Sequence, residues 1–397
     1  MRVLAVTPYL PAPPDFGGAS RIYHLLRELQ ERCELTVFSL AATGDDPEPS
    51  AAVFENLVTA RVPLTARSPA GPRKRRKQLF SALSKRSFQH RFYWNRSAQA
   101  KLTRLLQQDI FDIVQIEFSQ MAVYATPGVR HRVIDLHNIE HEILRQAAGG
   151  GSVSKRLFNA LEWRKFRSEE QRYWHGADLC LATSRVDADH VSRVTGEPCT
   201  VIPNGVDDAF HTRAPLSEAV DKSIVFTGAM RYQPNADAAV HFVRRVWPLI
   251  RDLEPDATFN IVGADPPEDV VRLGEREGVT VTGTVEDVRP WLRAASAVVV
   301  PLLSGSGTRL KILEAFATGR PVVSTTIGAS GLDVADNEHA LIANRPADMA
   351  QGLVSLIRNR TLAQRISDNA YQLIQAKYRW GIIGEALFIR YEQLLAP

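Results

Sequence analysis

The part of the sequence that most clearly indicates chemistry is a glycine-rich loop between an apolar run and a helical pattern. The run ends at Pro301, the loop occupies 304–308, and apolar residues at helical spacing begin near Thr308. Glycines let a backbone approach an anion closely, and a helix N-terminus directs free N–H groups towards it. We therefore predict a phosphate-binding loop. Its contacts are expected from Gly305, Ser306, Gly307 and Thr308.

Three charged side chains in the following helical pattern complete this predicted site. Arg309 can hold an anion as a bidentate fork, and Lys311 can do so as a point charge. Glu314 lies further along the helix, where it can accept hydrogen bonds from hydroxyl groups of the same ligand. Phosphate at one end and sugar hydroxyls at the other describe a nucleotide, although the loop matches neither a Walker A nor a G-x-G-x-x-G motif. The alternative is a capped turn with exposed charges.

His137 is a second candidate, because it directly follows the strand pattern 132–136. Ligands of doubly wound sheets bind at the carboxyl ends of strands, so we expect His137 to reach a ligand. The alternative is a helix-capping or core histidine. With Glu140 and His141 the segment also matches H-x-x-E-H, in which two helical histidines bind Zn²⁺. Since His137 follows a strand directly and no convincing third ligand motif lies downstream, we predict no metal site.

The elements that must position these residues alternate between strands and helices. A strand pattern at 2–6 leads through Gly17 and Gly18 to a helical pattern from Arg21. This alternation predicts two successive doubly wound parallel sheets with a break near 203–220. We place the domains at 1–203 and 204–378, with a final helix in 379–397 that can pack back on the first domain. Further strands are predicted at 35–40, 113–116, 132–136, 179–182, 223–226, 258–262, 279–282, 297–300 and 321–324.

Composition excludes several other classes of protein. The 397 residues are 45% hydrophobic and 23% charged, which is typical of a soluble globular chain. The net charge of +4 gives no reason to expect nucleic acid as a partner. The three cysteines form no C-x-x-C pattern, so neither a disulfide framework nor a zinc ribbon is expected. No membrane span or signal peptide is recognisable, and we expect a cytoplasmic protein.

One charge feature points to a surface. Between Arg61 and Arg104 there are thirteen Lys or Arg residues and no Asp or Glu, and aromatic residues such as Phe88 and Trp94 lie among them. Anionic membranes attract such basic, aromatic stretches. We predict docking of residues 73–96 on an anionic membrane surface, the inner face of the plasma membrane. The alternative is a solvated loop and helix whose apolar side joins the core.

The loop and helix 304–315, followed by 319–323, resemble the donor-binding signature of the large retaining glycosyltransferase family 4 (group 1 glycosyl transferases). The resemblance spans essentially the whole chain and is closest to the exopolysaccharide and cell-surface polysaccharide branch. It implies the GT-B fold, with two Rossmann-like domains facing across a cleft. Other pieces in the family's order are Gly17-Gly18, 135–138, 182–184, 202–207, 226–228 and 261–263.

The resemblance also assigns roles, with departures from the family pattern. Glu314 matches the second glutamate of the E-x7-E motif, which holds the nucleotide ribose, but Ser306 replaces the first. The family's cation pair after the strand end at Gly228 is absent, since Ala229 and Asn235 occupy those places; Arg231 lies two residues late. We expect Arg309 and Lys311 to compensate the diphosphate charge instead. His137 becomes a donor-sugar contact. Gly17 and Gly18 match the family's donor-binding loop, which lets acceptor and donor phosphates approach the first helix; the alternative is a tight turn with positive φ.

The expected reaction is transfer of a sugar from a nucleotide-diphosphate sugar to an acceptor hydroxyl, with retention of configuration. The expected acceptor is a glycan, a lipid-linked molecule or a small molecule. No paired carboxylates at a strand end suggest a nucleophile, so a front-side mechanism is favoured, in which the leaving diphosphate helps to deprotonate the acceptor. We expect no cofactor and no metal, because side chains supply the charge. Alternatives are a non-catalytic nucleotide-sugar-binding protein, a sugar-nucleotide epimerase on the same fold, and a zinc hydrolase.

Overall fold

The protein is described by a computed structural model that covers residues 1–14, 17–63, 65, 76–78, 80–81, 84–147, 153–305 and 309–396, with the backbone only at 146–147 and 153–155. The chain forms two compact units. The first domain contains Met1–Pro203 together with Ile383–Pro397, and the second contains Asn204–Ile382. The final helix thus begins in the second domain and continues in the first.

A parallel sheet forms the centre of the first domain, and its described strands run in the order β3-β2-β1-β4-β5-β6-β7. The strands are β1 Arg2–Thr7, β2 Glu34–Ala42, β3 Leu57–Val62, β4 Ile113–Glu117, β5 His131–Leu136, β6 Leu179–Ala182 and β7 Thr200–Val201. The helices are α1 Gly17–Gln30, α2 Glu48–Ala51, α3 Phe88–Tyr93, α4 Arg96–Gln108, α5 Glu140–Ala147, α6 Val153–His175 and α7 Arg185–Thr195, with a 3-10 turn at Ser119–Val123.

The second domain repeats this plan with described strands in the order β10-β9-β8-β11-β12-β13. These are β8 Ser223–Thr227, β9 Thr258–Val262, β10 Val279–Gly283, β11 Ala297–Val300, β12 Val322–Ser324 and β13 Leu341–Ile342. The helices are α8 Gln233–Arg245, α9 Trp247–Leu253, α10 Glu268–Val271, α11 Arg289–Ala294, α12 Leu310–Ala317, α13 Pro346–Arg358, α14 Arg360–Leu373 and α15 Trp380–Leu395. Short 3-10 turns lie at Asp208–Phe210, Leu216–Glu218 and Arg272–Glu275, and a π-helical turn at Ile374–Tyr378 precedes α15.

The strands are runs of β-branched and other apolar residues because both faces of each sheet are covered by helices. In β11, every residue of Ala297–Val300 is buried. In α1 the apolar residues at helical spacing, from Ile22 to Leu29, are buried against the sheet as the periodicity predicts. The predicted fold class of two doubly wound parallel-sheet domains is therefore confirmed.

Each sheet has a point where the strand order reverses, and this point lies beside the first strand of the domain. In the first domain it falls between β1 and β4, and in the second between β8 and β11. Loops diverge there at the carboxyl ends of the strands and leave a crevice in which ligands bind. The residues that follow β4, β8 and β11 therefore lie at these crevices.

Candidate functional site

In the second domain, Lys311 on α12, the helix that follows β11, reaches the end of β8 beside the reversal point. Its Nζ donates to Asn235 Oδ1 at 2.8 Å and lies 4.5 Å from the centre of the Phe226 ring in β8. Asn235 in turn donates to the carbonyl oxygen of Ala229 at 2.9 Å. The resemblance expects a lysine near position 235, where this sequence has Asn235. The Lys311 amine, which comes from α12, lies beside that position.

Gly228 makes this approach feasible. A Cβ at Gly228 would lie 2.7 Å from Lys311 Nζ and 2.8 Å from Asn235 Nδ2, and its φ is +146°. A side chain at this position would both strain the backbone and displace the amine. The glycine at the end of β8 thus keeps space for a cation that comes from another helix.

Burial shapes the charge of this site. Desolvation lowers the pKa of Lys311 to about 7 and raises the pKa of Glu314 to about 7. Among the described residues, no side chain or backbone group hydrogen-bonds the Glu314 carboxylate. A half-buried carboxylate of this kind can accept from ligand hydroxyls, and an amine beside it can hold an anion.

Arg309 lies directly before α12 and is 7% exposed. Burial lowers the pKa of its guanidinium. Its Nη2 packs over Gly305, where a Cβ would lie 3.1 Å from Nη2 and 3.4 Å from the Tyr232 hydroxyl. The helix begins at Leu310, two residues after the predicted start. The predicted phosphate contacts Ser306, Gly307 and Thr308 lie outside the described residues.

Arg231, another predicted donor contact, pairs with Asp265. Its Nη1 donates to Asp265 Oδ2 at 2.6 Å, and both side chains are more than half exposed. Asp265 follows the end of β9. Arg231 therefore pairs with the residue that follows β9, whereas Lys311 pairs with Asn235.

Gly17 and Gly18 are the first two residues of α1, so the helix begins four residues before Arg21, where the sequence pattern places it. Both glycines thus lie in a helix, whereas the alternative prediction places them in a tight turn. The two residues open the first helix of the first domain, as the residues after β1 in a doubly wound sheet do.

His137 directly follows β5 and is 6% exposed. Its Nε2 lies 2.8 Å from Glu117 Oε2, and its ring stacks on Phe118 with 3.7 Å between ring centroids. Its Nδ1 forms no hydrogen bond with any described residue. Burial lowers the pKa of the imidazole to about 3, and the opposing effect of the Asp135 carboxylate is smaller. His137 is therefore a neutral imidazole held on one side by Glu117.

Two carboxylates lie near strand ends of the first domain, close to His137. Glu117 ends β4 and Asp135 lies in β5, and both are fully buried in the first domain. Asp135 accepts from Arg21 Nε at 2.9 Å and Nη2 at 2.8 Å, so its two oxygens are occupied. Because the bonds of both carboxylates are made inside the protein, neither serves as an open nucleophile.

Glu117 is the residue that sequence reasoning missed. In the strand pattern, Gln115 and Glu117 alternate with apolar Val114 and Ile116, so the two polar side chains share one face of a buried strand. Two polar residues at a spacing of two in a buried strand are costly unless they are partnered. The spacing of these two polar residues is visible in the sequence. His137, which pairs with Glu117, is distant along the chain and could not be identified as the partner.

The H-x-x-E-H pattern does not form a two-histidine helical site. His137 precedes α5, whereas His141 lies inside it and its Nδ1 bonds Glu170 Oε2 at 2.6 Å. One other set of ligand-type side chains lies together among the described residues: atoms of Glu117, Asp135 and His137 lie within 4.8 Å of one another. Arg21 already supplies a positive charge there through both Asp135 oxygens.

The described part of the basic segment packs on α6. The Lys165 amine donates to the Ser81 carbonyl oxygen at 2.7 Å, and Glu169 accepts from the backbone N–H of Ser87 at 3.1 Å. Phe80, which precedes Ser81 and lies under the Arg76 guanidinium, is 56% exposed, and Leu157, near the start of α6, is 72% exposed. Exposed apolar side chains therefore lie among the cations of this surface. No helix in the described ranges combines the length and apolar character needed to cross a bilayer.

Two family models match the chain. Residues 17–210 match the model described as Glycosyltransferase Family 4, and residues 221–359 match Glycosyl transferases group 1. The first match covers the crevice residues of the first domain, and the second covers those after β8 and β11.

Individual relatives agree with these models. The phosphatidyl-myo-inositol mannosyltransferase of Mycobacterium leprae is 27% identical over 56% of this chain and 61% of its own length. The chain spans between 56% and 66% of the lengths of the first three curated relatives it matches.

Solved structures match over nearly the full chain. Sucrose-phosphate synthase from Thermosynechococcus elongatus aligns with a TM-score of 0.72 and 16% identity, over 99% of both chains. HepE from Anabaena, solved in complex with UDP, aligns with a TM-score of 0.68 and 14% identity, over 99% of this chain and all of that one. At these identities the likeness concerns the fold. The chain thus has the GT-B fold, with a match to the Glycosyltransferase Family 4 model in its first domain and to the group 1 glycosyl transferase model in its second.

Proposed function

We propose that this protein is a retaining glycosyltransferase, of the hexosyltransferase type, that moves a sugar from a nucleotide-diphosphate sugar to an acceptor hydroxyl in cell-surface glycan or glycoconjugate synthesis. The observation that carries the proposal is the position of Lys311. Its amine stands at the reversal point of the second sheet, beside Gly228 and one turn of helix from Glu314. The matches to two glycosyltransferase domain models support the same reading.

In this proposal the second domain binds the donor. Lys311 and Arg309 stabilise the negative charge that grows on the leaving diphosphate, and Glu314 accepts from the ribose hydroxyls. Electrostatic stabilisation of a leaving group by fixed cations needs no metal, so we propose metal-independent transfer. The complexes of HepE with UDP and with UDP-glucose support a nucleotide sugar as the ligand class.

The first domain binds the acceptor and contributes His137 to the donor sugar. The leaving diphosphate accepts the proton of the acceptor hydroxyl on the same face, which accounts for retention without an open carboxylate nucleophile. The exposed Phe80 and Leu157, with the cations of residues 73–96, dock the protein on an anionic membrane surface at the cytoplasmic side, and the acceptor is lipid-linked. The match to a relative named phosphatidyl-myo-inositol mannosyltransferase supports that class.

The test begins with a panel of UDP, GDP, ADP and dTDP and their sugar conjugates, measured by thermal shift and by turnover with and without EDTA. We expect one nucleotide to bind and its sugar conjugate to be consumed only with acceptor, irrespective of EDTA. Affinity without turnover would instead indicate a binding protein, and reaction without acceptor an epimerase. If no nucleotide binds, the proposal fails.

Lys311→Met tests the residue that carries the argument. Since removal of one charge-stabilising donor typically costs about 10²–10³-fold in turnover, we expect a loss of that size. The melting temperature should stay close to that of the wild type, because methionine fills the space of a buried stem without burying an amine. Lys377→Met is the matched control, since Lys377 lies in the same domain, is 53% exposed and pairs with Asp333. Near-normal turnover of Lys311→Met would refute the assigned role.

A further inference from the structure

The hydrogen bonds behind His137 run in one direction. The Tyr391 hydroxyl on α15 donates to Gln115 Oε1 at 2.5 Å, and the Gln115 amide donates to Glu117 Oε1, also at 2.5 Å. Glu117 Oε2 then faces His137 Nε2 at 2.8 Å. One oxygen of the carboxyl group thus ends a chain of donors, and the other shares a proton with the imidazole.

The charged groups around the Glu117–His137 pair carry one negative charge more than positive charges when Glu117 is ionised. Arg21 neutralises Asp135 through two hydrogen bonds, and the side chains of Arg21, Asp135 and Glu117 are fully buried. Asp135 Oδ2 also lies 3.9 Å from His137 Nε2. Because a buried uncompensated charge is costly, the Glu117–His137 pair is where an additional proton binds.

The ring of His137 is held in place from its face as well. Phe118 follows Glu117 with a φ of +67°, a backbone conformation that is strained for a bulky residue. This backbone sets the Phe118 ring against His137 at 3.7 Å between centroids. Glu117 and Phe118, consecutive residues at the reversal point of the first sheet, therefore both act on the same imidazole.

We propose that Glu117 is a positioning residue for His137: it fixes the ring and sets which ring nitrogen carries the proton, and so decides whether Nδ1 donates to or accepts from a sugar hydroxyl. The role of His137 at the sugar rests on the proposed function. The arrangement of the proton does not, because it follows from contacts within the first domain.

The number of protons on the Glu117–His137 pair gives the direction in which the His137 tautomer changes with pH. Burial raises the pKa of Glu117 to about 7, while His137 stays neutral. Below about pH 7 the carboxyl group holds the proton and donates it to Nε2, so Nδ1 carries the other proton and is a donor. Above that pH one proton leaves to solvent, the carboxylate accepts from Nε2–H, and Nδ1 becomes an acceptor. The imidazole is uncharged in both states.

The test reads the tautomer of His137 directly. In protein labelled with ¹⁵N in histidine, long-range ¹H–¹⁵N spectra distinguish the two tautomers, and Glu117→Gln is compared with the wild type between pH 6 and 9. We expect the wild type to change from the Nδ1–H to the Nε2–H tautomer near pH 7, and Glu117→Gln to keep one tautomer throughout. A single unchanging tautomer or an imidazolium in the wild type, or the same change in Glu117→Gln, would overturn the proposal. If the variant does not fold, the wild-type titration alone still decides.

Kinetics supply the second measurement. In Glu117→Gln the pH dependence of kcat near pH 7 should disappear, with kcat lowered about tenfold and the KM for the nucleotide sugar little changed, because the nucleotide binds the other domain. Glu170→Gln is the matched control, a second buried Glu–His pair of the same domain, and should keep turnover and its pH profile. The tautomer change without any effect of His137→Gln on turnover would leave the pairing intact and refute the role of His137 in transfer.

Discussion

Lys311 is an amine whose charge depends on what is bound beside it. In the free protein burial lowers its pKa to about 7, and the pKa of Glu314 is raised to about 7. A bound diphosphate restores the ammonium form, so binding takes up protons above pH 7. Affinity for the diphosphate should therefore fall as the pH rises through this range. The deprotonated Glu314 carboxylate acts in the same direction, because it adds negative charge near an anion.

The direction in which the affinity changes with pH can be measured with the nucleoside diphosphate that binds best. For each proton taken up, the Kd rises by at most about tenfold per pH unit above the pKa. Calorimetry in buffers of different ionisation enthalpy counts the protons, and we expect an uptake close to one at pH 8 that Lys311→Met abolishes. A Kd that is constant from pH 6.5 to 8.5 would contradict the assignment.

At the scale of the elements, the glycines at the ends of β8 and β9 decide how closely the two strand ends approach. A Cβ at Gly263 would lie 1.8 Å from the carbonyl oxygen of Gly228, a backbone atom that cannot rotate away. Gly263→Ala should therefore lower the free energy of unfolding by about 3 kcal/mol, as overpacking does. Gly44→Ala, with no atom within 4 Å of its Cβ, should change it by less than about 0.5 kcal/mol. Denaturant titration compares the two, and equal effects would contradict the packing argument.

The elements themselves were largely predictable, because buried parallel strands are apolar runs. The strand predicted at 113–116 is Ile113–Glu117, and that at 279–282 is Val279–Gly283. Three of the described strands were not predicted. In β3 the polar residues Thr59 and Arg61 interrupt the apolar run, and β7 and β13 have only two residues each, which carry no periodicity. The contacts of the candidate sites were less accessible to prediction. Arg21 meets Asp135 across more than a hundred residues, and nothing local in the sequence indicates which buried charges pair.

At the scale of the whole molecule, the proposed membrane docking assigns a role to the basic and apolar surface of the first domain. Flotation with vesicles containing anionic lipid should recover it at low salt and lose it at 0.5 M salt, because the Debye length is then below about 5 Å. Leu157→Asp should weaken binding about tenfold. Ile110→Asp is the control, since Ile110 is 80% exposed but lies between Asp109 and Asp112. Equal binding to neutral vesicles would contradict an electrostatic surface.

The division of α15 between the two domains bears on the order in which the protein is made. Tyr391, which is fully buried and donates to Gln115 in β4, belongs to the part of the first domain that follows Ile382. During translation the first sheet therefore emerges from the ribosome with the place of this helix vacant, until the entire second domain has been synthesised. A nonsense mutation after Ile382 would spare every strand of both sheets. It would nevertheless remove the donor to Gln115 and expose the polar chain behind His137 to water.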